Sequence, residues 1–347
     1  MAREFLSGRV KIINDIARKE WVHFVNEHPK RTIFQHPEMF SLFEESRRFQ
    51  PLILGVGEDN EIFGLLLGAF IYEKNGLGKQ LSSRFVVYGG PLLAGGESQQ
   101  TECLNMLLEE LIRKTHNKTL FLQLRNLFSQ DFLLPVYQNH GFSLLNRLNY
   151  VVSVGEKEEV LQKMSESRRR QIRKASENGS SIAEPDNIDQ VRDLYTILHK
   201  LYRHKIRKPL PDISFFENFY HESKKGRLGI IRLVKYQNKI IGGLIAPVFD
   251  KKCIYEWYVC GQDKEYKDQH PSVMATWAGI EYAIENDIQA FDFMGVGVPD
   301  KDYGVREFKA RFGGELVNYG RLTRINNKFL YGIAEFGYNI LALLKKI

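Results

Sequence analysis

The sequence predicts an α/β protein of the α+β kind, built from two tandem domains of similar design. Each domain is expected to hold a mixed, largely antiparallel sheet flanked by helices. Three observations lead to this prediction. The chain of 347 residues is long for one hydrophobic core. Apolar runs bounded by turn residues alternate with segments of helical periodicity. An order of two helices, a strand meander, a helix and a further strand occurs twice.

This repeated order sets the expected domain bounds. We place the first domain at residues 1–154 and the second, with the functional site, at residues 155–327. The segment 328–347 is predicted to be a helix, because its apolar residues recur at helical spacing. Two partners remain open for its apolar side chains: the core of the first domain, or a lipid surface.

The distribution of charge indicates an anionic partner. The net charge is +7, and the sequence pI is about 9.1. Lys163–Lys174 carries six basic residues and one acid, and His199–Lys208 carries five basic residues and no acid. Each stretch therefore has a net charge of +5, which leaves 7 − 10 = −3 for the rest. The positive charge is therefore concentrated near the beginning of the second half of the chain.

Composition argues against several classes of protein. The three cysteines have neither the spacing of a metal site nor that of a disulfide framework, so we expect no metal and a reducing compartment. No run of about 18 apolar residues is present, so we expect no transmembrane segment. A cytoplasmic protein is predicted, and the inner face of the membrane is the alternative location.

The stretch Phe291–Gly314, FDFMGVGVPDKDYGVREFKARFGG, is the candidate for the chemistry. An apolar strand, a glycine-rich loop and a short helix that ends at Gly313 would hold Lys309 in a fixed position. A rigidly held cation above a strand can stabilise an anion. The alternative is an ordinary strand and helix with a solvated lysine. Asp292, which alternates away from its aromatic neighbours, is expected to be structural.

A helix predicted from Lys157 to Asn178 carries most of the basic residues. Its apolar stripe contains Arg168, and a buried arginine needs an anionic partner. That partner is either an acidic side chain of the core or a substrate phosphate. The other four basic residues point elsewhere and form a face suited to phosphates, or a solvated surface: Arg169, Arg170, Arg173 and Lys174.

Several motifs together resemble the Fem family, the aminoacyltransferases that form peptidoglycan bridges. They are SRRRQIRKA at 167–175, a tyrosine-rich helix with Arg203, YEWYVCG at 255–261, a helix with Trp277, FDFMG at 291–295 and EFKARFGG at 307–314. TIFQHPEMF at 32–40 is similar to the opening of that family. The resemblance covers nearly the whole chain, and FDFMG followed by FK-x-x-FG is its most specific part.

The resemblance implies two tandem GNAT-like domains that transfer an amino acid from aminoacyl-tRNA to an amine on a peptidoglycan precursor, without a metal. It assigns Lys309 to the oxyanion of the tetrahedral intermediate, and Phe308 to the wall of the site or the core. It makes Arg203 and Tyr258 ligands of the acceptor. Arg207 stands where some members have tyrosine. The long coiled-coil arm of some members is absent.

The donor and the acceptor remain open. Acyl-CoA is disfavoured, because Gly261–Ser272 lacks the glycine-rich turn that binds pyrophosphate in CoA-dependent GNAT enzymes. Backbone amides at the helix start near Pro271 could still bind an anion, and His270 is expected to cap that helix. We expect aminoacyl-tRNA, a nucleotide- or lipid-linked cell-wall precursor and peripheral membrane contact as partners. The alternatives are an acyl-CoA-dependent N-acyltransferase acting on an envelope sugar amine, and a non-catalytic RNA- or glycan-binding protein.

Overall fold

A computed structural model of the chain describes residues 10–58, 61–72, 82–301 and 303–333. The chain divides into two compact units, Met1–Asn146 with Tyr319–Ile347, and Arg147–Asn318. This division differs from the boundary expected at residue 154. The reason is that the strand Leu148–Ser153 pairs with strands of the second unit.

The first unit is an eight-stranded sheet with helices. Its helices are α1 (Arg18–Glu27), α2 (Pro37–Glu45), α3 (Glu97–Thr115) and α4 (Leu134–Asn139), with 3-10 turns at Ile33–Gln35 and Asp131–Leu133. Its strands are β1 (Lys11–Ile13), β2 (Phe49–Glu58), β3 (Glu61–Ile71), β4 (Arg84–Gly89), β5 (Leu92–Leu93), β6 (Phe121–Asn126), β7 (Ser143–Leu145) and β16 (Arg321–Ile325). The strand order is β1-β2-β3-β4-β6-β16-β7, and β5 pairs with β3.

The second unit is also an eight-stranded sheet with helices. Its helices are α5 (Lys157–Lys163), α6 (Glu166–Glu177), α7 (Ile188–Leu201), α8 (Ile213–Lys224), α9 (Pro271–Glu285) and α10 (Gly304–Ala310). Its strands are β8 (Leu148–Ser153), β9 (Ser180–Ala183), β10 (Gly229–Tyr236), β11 (Lys239–Phe249), β12 (Cys253–Tyr255), β13 (Tyr258–Gly261), β14 (Ala290–Asp292) and β15 (Glu315–Asn318). The order is β15-β8-β14-β12-β11-β10-β9, and β13 pairs with β11.

The fold class is confirmed: both sheets are mixed and largely antiparallel. Within the described residues of each unit, one strand pair is parallel, β4 with β6 in the first and β12 with β14 in the second. The chain between the strands of each parallel pair contains a long helix, α3 in the first unit and α9 in the second, as is usual for such a crossover.

Each sheet packs on an apolar helix. In the first unit the buried face of α3 carries Leu104, Leu107 and Leu111, spaced by three and four residues. In the second, α9 approaches the sheet so closely that a Cβ at Gly279 would lie 2.5 Å from the ring of Phe291. Only a residue without a side chain fits there, and the tight packing holds β14 in place.

Two predicted elements are interrupted. The helix expected from Lys157 to Asn178 breaks at Met164, and Ser165 caps α6 by accepting a hydrogen bond from the backbone N–H of Arg168. The apolar pattern of residues 252–260 predicts one continuous strand, but the strand breaks at Glu256 and Trp257 into β12 and β13. Both predictions were wrong in that each expected one continuous element. Neither the serine cap nor the change of strand partner interrupts the apolar pattern, so the pattern does not reveal the breaks.

The segment after the second unit returns to the first. Residues 328–333 are helical, and the ring of Tyr331 lies 5.8 Å from that of Phe121 on β6. The rest of the predicted terminal helix, residues 334–347, lies outside the described residues. Within the part of the chain that the structure describes, no helix has the length and apolarity needed to cross a membrane.

Gly313, where the sequence predicts the end of the short helix, follows α10 with a left-handed backbone conformation, φ +85°. A Cβ there would lie 2.3 Å from the carbonyl oxygen of Lys163, whereas Gly226, with φ +70°, has open space around it. Gly226→Ala should lower the free energy of unfolding by about 1 kcal/mol, the cost of a left-handed alanine. Gly313→Ala should cost clearly more in chemical denaturation, because backbone must also move. Equal losses would contradict a steric role for the Lys163 contact.

Candidate active site

The candidate site lies where two parallel strands of the second unit end. β12 and β14 are paired as far as Tyr255 and Asp292, and the backbone N–H of Glu256 then donates to the carbonyl oxygen of Asp292 at 2.8 Å. Beyond this point the chain turns into β13, which pairs with β11 instead. Because β12 does not continue past this point, the backbone carbonyl groups that follow Asp292 have no residue of β12 to pair with.

Lys309 fills this position from α10. Its Nζ donates to the carbonyl oxygen of Phe293 at 2.7 Å and lies 2.9 Å from Oε1 of Glu256. A third acceptor, the carbonyl oxygen of Gly295, is 3.4 Å away, which is long for a hydrogen bond. The residue is only 8% exposed, so the alternative of a solvated surface lysine is excluded.

Glu256 is the anionic partner of this ammonium group. Its side chain is 0% exposed, and its Oε2 accepts a hydrogen bond of 2.8 Å from the hydroxyl of Thr276 on α9. Both carboxylate oxygens therefore have a close partner. Neither Glu256 nor Thr276 was predicted from the sequence to belong to the site. The available signal was the acid itself, alone within the otherwise uncharged stretch YEWYVCG.

Asp292 organises the loop that follows β14. Its Oδ1 accepts from Asn149 Nδ2 at 2.8 Å and from the backbone N–H of Met294 at 2.6 Å. Asn149 in turn accepts from the N–H of Gly295 at 2.7 Å. Burial raises the pKa of Asp292 to about 6, although these hydrogen bonds and Lys309 oppose the shift. The contacts hold the backbone that supplies carbonyl acceptors to Lys309, in agreement with the structural role expected for Asp292.

Arg168 of α6 packs against α10 and the residues that follow it. It is 2% exposed, and its guanidinium carbon lies 4.4 Å and 4.3 Å from the ring centroids of Phe308 and Phe312. It donates to the carbonyl oxygen of Phe308 at 2.7 Å and to Oε1 of Gln171 at 2.9 Å. Burial, and then the positive charge of Arg311, lower its pKa to about 10.

The prediction of an acidic core partner for Arg168 was wrong, because no carboxylate of the described residues forms an ion pair with it. Two aromatic faces and two neutral oxygens surround the guanidinium instead. The planar group can stack on rings while its edges donate, so it tolerates burial better than an ammonium would. Phe308 is half-buried and also packs against the core, as the sequence suggested.

The four remaining basic residues of α6 are all exposed, as the helical pattern predicted: Arg169, Arg170, Arg173 and Lys174. Two of them have acidic neighbours, Glu177 at 3.8 Å from Arg173 and Asp268 at 3.4 Å from Lys174. Such exposed pairs are weak and screened by salt. The face can therefore exchange these partners for an anionic ligand.

The predicted acceptor ligands are neighbours in space. Arg203 and Arg207 are exposed on the π-helical turn Tyr202–Ile206 and its left-handed end, where Arg207 has φ +56°. The ring of Tyr202 lies 6.2 Å from that of Tyr258, the first residue of β13. Tyr258 is half-buried and also packs edge-on against Phe216. The structure thus brings the basic turn beside Tyr258.

The start of α9 already holds an anion. Oδ1 of Asp263 accepts from the backbone N–H of Ser272 at 3.0 Å, and Oδ2 accepts from its hydroxyl at 2.5 Å. His270 occupies the N-cap position with φ +43°, but its side chain makes no capping bond. The expectation that His270 caps the helix was therefore wrong for its side chain. Asp263 supplies the negative charge that a helix start favours.

Comparison with known proteins agrees with this architecture. Residues 162–310, somewhat less than half of the chain, match a family described as "Acetyltransferase (GNAT) domain". No curated protein matches the chain. The fold is similar to that of FemX, with a TM-score of 0.68 and 17% identity over 93% of this chain and 99% of that one.

Two further solved structures have the same outline. L-PGS from Bacillus licheniformis gives a TM-score of 0.56 and 13% identity, over 94% of this chain and 97% of that one. A tandem GNAT protein from the clavulanic acid biosynthesis pathway gives 0.56 and 9%, over 92% and 99%. The chain therefore has a tandem GNAT-like fold, and the matched domain suggests an acyltransferase.

Proposed function

We propose that this tandem GNAT-like protein is an acyltransferase that moves an aminoacyl group from aminoacyl-tRNA to an amine on a peptidoglycan or cell-envelope precursor. The observation that carries the proposal is the buried ammonium of Lys309 at the ends of β12 and β14. Glu256 and the carbonyl of Phe293 hold it, and the long contact to Gly295 is the one that a substrate oxygen can replace.

The chemistry needs such a group. The amine attacks the ester carbonyl carbon, which becomes tetrahedral, and its oxygen becomes negatively charged. A single donor aimed at that oxygen contributes about 3–4 kcal/mol. Collapse of the intermediate forms the amide and breaks the ester bond to the ribose oxygen of the tRNA. The proton lost by the amine goes to solvent or to that leaving oxygen. Lys309 is the catalytic residue in this proposal, and Phe308 fixes its helix against Arg168.

Charge supports a tRNA donor. The exposed face of α6 offers Arg169, Arg170, Arg173 and Lys174 to phosphates, and such contacts release counterions. At the start of α9 the carboxylate of Asp263 occupies the N–H of Ser272, which disfavours a pyrophosphate there. The similarity to FemX supports the same choice.

The acceptor side is proposed at the basic turn. Arg203 and Arg207, with Tyr258 beside them, suit a diphosphate joined to a flat or sugar-like group. A nucleotide-linked precursor carries such a diphosphate, and a lipid-linked precursor would place the protein at the inner face of the membrane.

One observation favours a second candidate. The matched family is described as an acetyltransferase domain, so an acyl-CoA-dependent N-acyltransferase acting on an envelope sugar amine is the alternative. It uses the same lysine and oxyanion but a thioester donor.

A donor assay separates the candidates. The protein is incubated with labelled aminoacyl-tRNA or acetyl-CoA, and with a UDP-linked muropeptide or an amino sugar. We expect labelled amide only from the tRNA and the muropeptide. Product from acetyl-CoA alone would replace the proposal with the alternative. Binding without product from any pair would favour a non-catalytic protein.

The same assay tests the basic face. Arg170→Glu should slow transfer from tRNA and flatten its salt dependence, since each lost phosphate contact lowers the slope of log K against log salt by about 0.7–0.9. Lys239→Glu, an equal charge reversal at the exposed first residue of β11, is the matched control. An identical response of both variants would remove α6 from the proposed tRNA surface.

A further inference from the structure

Glu256 occupies a special place in the second unit, at the residue where β12 ends and the chain leaves β14. Its backbone is fixed by the bond from its N–H to Asp292, and its side chain is buried between α9 and α10. Thr276, which is also fully buried, fixes one carboxylate oxygen. The other oxygen is thus held at a defined point, 2.9 Å from Nζ of Lys309.

The contacts of Nζ show what the fixed carboxylate oxygen of Glu256 does for Lys309. An ammonium group has three N–H donors in fixed directions. The hydrogen bonds of Lys309 Nζ go to the carbonyl oxygens of Phe293 at 2.7 Å and, more weakly, of Gly295 at 3.4 Å. Oε1 of Glu256 lies 2.9 Å from Nζ as an ion pair, but it is not aligned to accept a hydrogen bond. The ion pair therefore fixes the position of the ammonium group, and the weak contact to Gly295 is the one that another oxygen can replace.

We propose that Glu256 is a positioning residue, which keeps Lys309 charged and holds its ammonium group where it can donate to the substrate oxyanion. That the anion is a substrate oxyanion rests on the proposed function. The effect of Glu256 on the charge and position of Lys309 does not depend on that function. A buried ammonium without a nearby anion tends to lose its proton. Of the described charged groups, Glu256 from the β12–β13 break and Asp292 from β14 face Lys309. Only Glu256 forms an ion pair with it within hydrogen-bond distance.

The test uses Glu256→Gln, which keeps the shape and removes the charge. We expect kcat to fall about 10- to 100-fold at neutral pH, because an oxyanion donor is misplaced or discharged. The loss should grow as the pH rises, with the basic limb of the kcat profile at lower pH than in wild type. KM for the acceptor should change little. A residue with a purely structural role would lower stability without moving that limb.

A second measurement needs no substrate. Lysines labelled with 13C at Cε are titrated by NMR, and Lys309 is assigned from the signal missing in Lys309→Arg. In Glu256→Gln the midpoint for Lys309 should lie below that of wild type, because the variant lacks the anion that favours the charged form. An unchanged midpoint would overturn the inference, even if activity were lost. If the wild type transfers no acyl group, the proposed function fails while this titration still tests Glu256.

Thr276→Val is a second, milder variant that tests the same inference if Glu256→Gln does not fold. It leaves both charges in place and removes only the hydroxyl that holds Oε2 of Glu256. We expect the same direction of change in kcat and in the NMR midpoint, with a smaller size. A kcat profile and a midpoint identical to those of wild type would show that the orientation of Glu256 does not matter.

Discussion

Lys309→Met is expected to lower kcat by about two to three powers of ten and the free energy of unfolding by about 3–5 kcal/mol. The first loss follows from removing the only donor proposed for the oxyanion. The second follows from leaving the carboxylate of Glu256 buried and unpaired, since its side chain is 0% exposed. Steady-state kinetics and urea denaturation measure the two effects on the same preparation.

The two effects can be separated with a double variant. Lys309→Met with Glu256→Gln has no unpaired charge, so it should regain much of the lost stability while activity stays low. Lys264→Met, at an exposed lysine of the same unit, should change neither quantity. Near wild-type turnover in the double variant would remove Lys309 from the mechanism. Wild-type stability in the single variant would contradict the buried ion pair.

Arg168→Ala is expected to destabilise the protein by about 3–5 kcal/mol. The side chain fills the space between Phe308 and Phe312, and its removal leaves a cavity and an unsatisfied carbonyl at Phe308. The same carbonyl belongs to α10, which carries Lys309. We therefore also expect a lower kcat, because Lys309 is held less firmly in this variant. Denaturant unfolding gives the first effect and kcat the second.

Arg169→Ala is the matched control for that measurement. It removes the same side chain one residue further along α6, where it is exposed, and should change stability by no more than about 0.5 kcal/mol. Arg168→Met should fall between the two, because it keeps most of the volume but loses the donors. If the alanine variants at 168 and 169 were equally stable, the stacked guanidinium would have no structural role.

Much of this arrangement could be predicted from the sequence. The strand at Phe291-Asp292, the glycine that ends the short helix and the fixed position of Lys309 follow from local patterns, although the strand ends at Asp292 and does not continue through Met294. The burial of Arg168 followed from helical periodicity alone. Local rules work here because each of these features depends on residues only a few positions apart.

The partners of these residues could not be predicted in the same way. Glu256 and Thr276 are 20 residues apart, and Arg168 meets Phe308 across 140 residues. Such contacts depend on where a strand changes partner, which leaves no periodic trace. The expectation that an acidic side chain of the core could be the partner of Arg168 also failed, because its guanidinium stacks on two rings instead.

The position of β16 has a consequence for how the protein is made. In the sheet of the first unit, β16 lies between β6 and β7, although it follows the whole second unit in the chain. A ribosome adds about 5–20 residues per second, so β6 and β7 wait many seconds for the strand that joins them. The second unit is continuous and can finish folding first. The first unit, begun earlier, is completed last, and the edges of β6 and β7 are open to mispairing until β16 arrives.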